Sequence, residues 1–259
     1  MQSLQPSVAF FDSGIGGLTV LAACKKQINA PFYYYGDNAY APYGNRSVLE
    51  IRGRVFSAFT LFEKMQVQAA VVACNTATTV CIDELRQRFS FPVVGTEPAV
   101  RTAAKRGGEI FVLTTRATYE SLRFQTLCKR LSDEYPNANI RPFACKRLAG
   151  DIERNLLKEG YDCTSLLPKG KPAAVVLGCT HYVYMQSQIQ AYYDCPTYDG
   201  NDGVARRLRG ALNDVAAARR DGQPLLPPDV LSPKTAPVFF LGSSKAYNEH
   251  AYEQMFVKK

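Results

Sequence analysis

The chain has 259 residues, 46% of them hydrophobic, and carries a net charge of +8, eight cysteines and two histidines. That length and apolar content suit either one large α/β core or two smaller ones, and they exclude a disordered polymer. No run of about 18 uninterrupted apolar residues occurs. The lead Met1-Gln2-Ser3-Leu4-Gln5-Pro6 lacks the basic start and apolar stretch of a signal peptide, so a membrane partner is not expected and a cytoplasmic protein is.

Short apolar runs that end in small or polar residues alternate with longer amphipathic stretches, which is the pattern of parallel βα units. Strands are expected at 8–11, 32–35, 69–73, 92–94, 110–113, 173–177 and 238–241, with helices near 17–28, 46–65, 77–89, 116–131, 147–159 and 203–219. An α/β fold follows. The prolines of Asp221-Gly222-Gln223-Pro224-Leu225-Leu226-Pro227-Pro228 mark a surface linker, after which the last strand and tail rejoin the first domain.

An internal repeat organises the chain more strongly than any single element. Val71-Val72-Ala73-Cys74-Asn75-Thr76 returns about 105 residues later as Val175-Val176-Leu177-Gly178-Cys179-Thr180. The run Ala9-Phe10-Phe11-Asp12-Ser13 stands before the first cysteine much as Phe111-Val112-Leu113-Thr114-Thr115 stands before the second. Two similar parallel-sheet halves are implied, each with a cysteine just past the carboxyl end of an equivalent strand, where open α/β sheets bind ligands. Facing the halves together puts one thiol on each side of a shared cleft.

The cysteines are scattered, several lie in apolar runs and none forms a CxxC pair, so reduced thiols are expected. His181 and His250 are too few for a zinc site, and no metal is expected. The basic residues are dispersed. Their densest cluster, Arg206, Arg207 and Arg209 followed by Arg219 and Arg220, reads as a solvated helix face rather than a nucleic-acid footprint. A positive field also concentrates small anions near a cleft.

Three local motifs carry chemistry. Asp12-Ser13-Gly14-Ile15-Gly16-Gly17 follows a strand and opens a helix; its glycines permit a tight turn and bare amides toward an anion, but their spacing is not the dinucleotide fingerprint. Pro42-Tyr43-Gly44-Asn45-Arg46-Ser47, after Asp37, is a loop whose amides suit a carboxylate. Cys74-Asn75-Thr76 and Gly178-Cys179-Thr180-His181-Tyr182 place each thiol at a helix start, where the dipole favours thiolate, and His181 stands close enough to relay a proton. Cys81, one turn further on, reads as an inert core residue. Two matched thiols suit inversion of an α-carbon without a cofactor, since one face must lose a proton and the other gain one, and a thiol near pKa 8.5 is readily either form.

In their joint order, Phe11-Asp12-Ser13-Gly14-Ile15-Gly16-Gly17-Leu18-Thr19-Val20, Tyr35-Gly36-Asp37, Pro42-Tyr43-Gly44, Cys74-Asn75-Thr76-Ala77, Gly95-Thr96-Glu97-Pro98 and Gly178-Cys179-Thr180-His181-Tyr182 resemble the glutamate racemases of the aspartate/glutamate racemase superfamily. The resemblance runs through most of the chain. It implies two α/β domains related by a pseudo-twofold, over 1–98 and 99–207, with 208–259 returning to the first and the active site between them. Cys74 is then the base for D-glutamate and Cys179 for L-glutamate, assisted by Asp12 and His181. Ser13, Asn75, Thr76, Thr118 and Thr180 hold the α-amino and α-carboxylate groups, and Pro42, Tyr43 and Gly44 meet the side-chain carboxylate. Val183 replaces a common proline and Phe124 a common tyrosine. The segment 145–153 departs from the usual pattern, leaving Glu153 as the assisting carboxylate with Asp151 as its competitor.

What the resemblance implies is a cofactor-independent isomerase that supplies D-glutamate for peptidoglycan, with glutamate as small-molecule partner, a second copy of the chain as the other, and a gyrase contact in some relatives. Racemisation of aspartate by the same thiols is the alternative, and a basic partner-binding module with a non-catalytic cleft is the alternative outside enzymes. A pure binding module has no need of the intact thiol pair.

Overall fold

The computed structural model describes residues 7–217, 236–242 and 244–257. Its strands are β1 (Val8–Asp12), β2 (Phe32–Gly36), β3 (Ala69–Val72), β4 (Val93–Gly95), β5 (Gly108–Thr114), β6 (Ala138–Ala144), β7 (Ala174–Leu177), β8 (Thr197–Tyr198) and β9 (Val238–Leu241). They form two parallel sheets, ordered β4-β3-β1-β2-β9 and β6-β5-β7-β8. The helices are α1 (Leu18–Lys25), α2 (Val48–Lys64), α3 (Asn75–Arg88), α4 (Val100–Ala104), α5 (Arg116–Glu120), α6 (Leu122–Glu134), α7 (Leu148–Asn155), α8 (Gln186–Tyr193), α9 (Asn201–Ala217) and α10 (Lys245–Tyr252).

Period-two alternation sends neighbouring residues of a strand to opposite faces. Val8 and Phe10 of β1 pack with Leu18 and Leu21 of α1 and with Val204, Leu208 and Leu212 of α9. Ala9 and Phe11 face the other way, onto Ile51, Val55 and Phe59 of α2 and Ala77 and Cys81 of α3. The second sheet is built alike, with Phe111 and Leu113 toward α7 and α8 and with Ile110 and Val112 toward α4 and α6. Strands covered on both faces must be apolar throughout, which is why β1, β3 and β7 are buried along their whole length.

The repeat is visible in the topology: the order β4-β3-β1-β2 of one sheet is the order β8-β7-β5-β6 of the other. Register carries it to single residues. Phe11 lies opposite Val72, and Leu113 lies opposite Leu177, so Cys74 matches Cys179, Asp12 matches Thr114 and Ser13 matches Thr115. Among the described residues β9 has no counterpart, and it extends only the first sheet, beside β2. α9 spans the expected domain boundary at residue 207 and packs on the first half from both sides of it, through Val204 and through Leu208 and Leu212. Where the chain returns to the first half, Gly200 lies against the outgoing connection so closely that a Cβ there would stand 2.5 Å from the Glu97 carbonyl oxygen.

Three expectations are corrected. The helix read over 116–131 is two, because Ser121 adopts extended backbone (φ −72°, ψ 136°) and its hydroxyl caps α6 by accepting from Phe124 N at 3.3 Å. β6 and β8 were not expected from the sequence; β6 is an edge strand with Pro142 and Arg141 in it, so no apolar run announces it. Gly14, Gly16 and Gly17 are not among the positive-φ residues, so no left-handed turn requires them. A Cβ at Gly14 would stand 2.5 Å from Glu153 Oε1 and one at Gly17 2.6 Å from Asp12 Cβ, so the glycines are there for close packing. The linker expected at 221–228, with Arg219 and Arg220, lies outside the described residues. Arg206, Arg207 and Arg209 are on the exposed face of α9, and no described helix is long and apolar enough to cross a membrane.

Candidate active site

Cys74 follows β3 and is the N-cap of α3, its Sγ accepting from Ala77 N at 3.5 Å and donating to Ser13 Oγ at 3.6 Å. The helix terminus favours thiolate, as expected, but it loses to the surroundings. Burial, and next the Asp12 charge, push the Cys74 thiol up to about 12. Asp12 ends β1 fully buried; its Oδ1 accepts from Gly14 N at 2.9 Å and its Oδ2 from Thr180 Oγ1 at 3.3 Å. Burial raises this carboxyl to about 6 against the opposing pull of the His181 charge.

Cys179 follows β7 in the equivalent place, but its helix differs. The turn after it, Thr180–Met185, is 3₁₀ and draws no cap from the thiol, so the two helix starts are not alike. The partner of Cys179 is instead His181, whose Nδ1 lies 3.7 Å from Sγ. His181 Nε2 meets Glu153 Oε2 at 2.5 Å. Burial works to lower the imidazole, but hydrogen bonds to Cys179 and Glu153 and the Glu153 charge outweigh it and hold His181 well above its usual value. Burial works to raise Glu153, and here His181, followed by Ile15 N and Asn38, wins and holds it low. An imidazolium–carboxylate pair therefore stands behind Cys179. Asp151 is elsewhere: it accepts from the Tyr161 hydroxyl at 2.8 Å and pairs with Arg154, which leaves Glu153 as the carboxylate on His181.

Cys74, Cys179, Ser13, Asn75, Thr76, Thr118 and Thr180 are all buried. Thr76 Oγ1 lies 2.9 Å from Thr115 Oγ1 and 3.5 Å from Thr118 Oγ1, which stitches the first half to the second across the site. Asn75 donates to the Thr96 carbonyl at 3.5 Å. Pro42, Tyr43 and Gly44 form a short loop: Pro42 packs beside Gly150, and Gly44 lies so close to Thr115 that a Cβ there would meet Thr115 Cβ at 2.7 Å. The Tyr43 hydroxyl donates to Asp37 Oδ2 at 2.6 Å, and burial followed by that bond holds the phenol protonated. Arg54 Nη1 reaches the same carboxylate at 3.1 Å. Among the described residues no three His, Cys, Asp or Glu side chains converge as metal ligands.

The sequence profile of the Asp/Glu/hydantoin racemase family matches residues 17–208. The chain belongs to that family. Within it, the glutamate racemase of Clostridium kluyveri is 40% identical over 225 residues, which are 82% of this chain and 86% of that one. The Escherichia coli glutamate racemase, solved with L-glutamate and the activator UDP-MurNAc-ala, is 28% identical, covers 96% of each chain and superposes with a TM-score of 0.75. The glutamate racemase of Aquifex pyrophilus is 28% identical, covers 95% of this chain and 94% of that one, and gives a TM-score of 0.66. The racemase described here is an amino-acid racemase of α/β fold, similar throughout to glutamate racemases.

Sequence reasoning about this family member missed Thr115, Arg54 and Asn38. Thr115 was legible: aligning the repeat pairs it with Ser13. Arg54 lies on α2 eight positions past Arg46, and nothing local links it to Asp37. Asn38 touches Glu153 across 115 positions of sequence, a contact that only the docking of the two halves creates.

Proposed function

We propose that this racemase interconverts L- and D-glutamate with no cofactor, Cys179 and Cys74 acting as bases on opposite faces of the α-carbon. What carries the reading is one observation: two buried thiols at equivalent register positions of two repeated sheets, close enough that charge on Cys179 raises Cys74. Their different partners set the resting proton inventory. The His181 imidazolium supplies the counter-charge that a thiolate at Cys179 requires, while Cys74, between Ser13 and Asp12, keeps its proton.

From that state L-glutamate loses its α-proton to the Cys179 thiolate. The carbanion takes the Cys74 proton on the other face, giving D-glutamate, a Cys74 thiolate and a Cys179 thiol. D-glutamate then reacts in reverse, or solvent exchange restores the resting form. Ser13, Asn75, Thr76, Thr118 and Thr180 hold the α-amino and α-carboxylate groups. Pro42, Tyr43 and Gly44 meet the distal carboxylate, with backbone amides and hydroxyls in place of arginine. Because these groups are buried, substrate access requires the halves to part, and closure strengthens the dipoles that stabilise carbanion charge. The chain is read as two domains, 1–98 and 99–207, with 208–259 returning to the first and the site between them. The reading extends to a cytoplasmic homodimer that makes D-glutamate for peptidoglycan.

Circular dichroism of D-glutamate in deuterated buffer with no additive tests it. The signal should decay to zero while the product gains one solvent deuteron at the α-carbon. Racemisation that appears only on adding pyridoxal phosphate, or product that keeps its α-hydrogen, would rule the mechanism out.

A further inference from the structure

Asn248, on α10, is fully buried, an expensive place for an amide. Its Nδ2 donates to Asn38 Oδ1 at 2.9 Å, and its Oδ1 has no hydrogen-bond partner among the described residues. Asn38 in turn donates from Nδ2 to Glu153 Oε1 at 3.0 Å. Glu153 accepts from His181 Nε2, and His181 Nδ1 faces the Cys179 sulfur. A chain of five side chains thus runs from α10 to a thiol.

The direction of each amide in it is forced. An ionised carboxylate only accepts, so Asn38 must turn its NH2 toward Glu153 and its oxygen toward α10, and Asn248 must answer with its own NH2. The space is prepared for this: a Cβ at Gly36 would stand 2.7 Å from Asn248 Nδ2 and 2.8 Å from Asn38 Oδ1. Core packing alone gives no reason for a buried amide with one oxygen unpaired, because an apolar side chain of that size costs less. α10 also meets the backbone of α7, where the Tyr247 hydroxyl donates to the Glu153 carbonyl at 3.3 Å.

We propose that Asn248 is a positioning residue for the acid/base pair at Cys179, holding Asn38 in the one orientation that presents a donor to Glu153. The proposal rests on the two-thiol reading above. Asn248 touches neither substrate nor thiol. Its effect passes through Glu153 to His181 and leaves Cys74 alone, so it falls on one face of the substrate.

The test compares wild type, Asn248→Leu, Asn248→Asp and Cys179→Ser, using L- and D-glutamate deuterated at the α-carbon. Both Asn248 variants should lose about tenfold in kcat, the scale of one hydrogen bond in a buried network. The isotope effect on kcat should rise with the L-substrate, whose proton Cys179 removes, and not with the D-substrate. Asn248→Asp keeps the shape and, when ionised, presents an acceptor to Asn38, so its defect should deepen as pH rises. Should Asn248→Leu lower the melting temperature, the isosteric variant decides the matter. Unchanged isotope effects, or effects that change equally with both enantiomers in a folded protein, would overturn the proposal. Full racemisation by Cys179→Ser would instead overturn the two-thiol reading on which it stands.

Discussion

The two halves place a thiol at the same register position and then treat it oppositely. In the first, Cys74 caps an α-helix, donates to Ser13 and lies near the Asp12 carboxylate. In the second, Cys179 caps nothing and stands before an imidazolium held by Glu153. Repetition supplies two equivalent sulfurs, and divergence of the residues around them gives one a buried carboxyl neighbour and the other an imidazolium, the difference on which the proposed donor and acceptor roles rest. The matched positions show where: Asp12 stands opposite Thr114 in the repeat, and His181, two past its cysteine, stands opposite Thr76.

The strongest way to break this comparison is to remove one thiol at a time. Cys74→Ser and Cys179→Ser should each lose a factor on the order of 10²–10⁴ or more in racemisation, measured by circular dichroism. Each remaining base should still drive elimination from a glutamate analogue with a leaving group on the β-carbon. Keto-acid release should then appear only with the L-analogue for Cys74→Ser and only with the D-analogue for Cys179→Ser. The same enantiomer preference in both variants would end the case for opposed faces.

A smaller loss, about a hundredfold, is expected for His181→Asn, which removes the counter-charge from Cys179 and leaves Glu153 unpaired. Because the reaction has an equilibrium constant of one, kcat/KM must fall equally in both directions. Only the isotope effect with L-glutamate should rise, and a rise with D-glutamate instead would exchange the assignments of the two thiols.

Asp12 sharpens the contrast through stability. Its folded pKa, about 6, lies above the ordinary 3.8, so the native state holds the extra proton and stability falls as pH rises between those values. Asp12→Asn should abolish that fall, since an amide can accept from Gly14 N and donate to Thr180. At pH 7 the variant should be more stable in urea by on the order of 2 kcal/mol while losing activity. An unchanged pH dependence of unfolding would show that the carboxyl is not held up by burial.

How much of this the sequence foretold depends on locality. The central strands were legible because burial on both faces leaves only apolar residues in them. β6 was not, since an edge strand tolerates Asn139, Arg141 and Pro142. The two thiols were found through the repeat, which needs no contact to be seen. Asp151 and Glu153 could not be separated, for they are two positions apart on a helix and point to different faces, so only the packing of α7 chooses between them. α10 is short, and one of the positions on its buried face is the polar Asn248, beside Ala251 and Tyr252.

Two milder tests complete the series. Tyr43→Phe removes the 2.6 Å bond to Asp37 in a loop contributed by the first half alone. KM for glutamate should rise about fivefold, the value of a single hydrogen bond, with kcat nearly kept. Glutamate should remain far better than aspartate in the wild type, and comparable turnover of both would favour the broader racemase reading. The smallest effect is none: dialysis against a chelator should leave activity intact.

β9 gives the polypeptide an order of assembly. Every described strand of the second sheet has been made once Tyr198 leaves the ribosome, so those strands have their partners early. The first sheet, although its other strands precede those of the second in the chain, waits for 238–241 to cover the edge of β2, and α10 follows only after that. A product that lacked β9 would carry both thiols and an open edge on β2, so loss of that strand would be read as aggregation before it was read as inactivity.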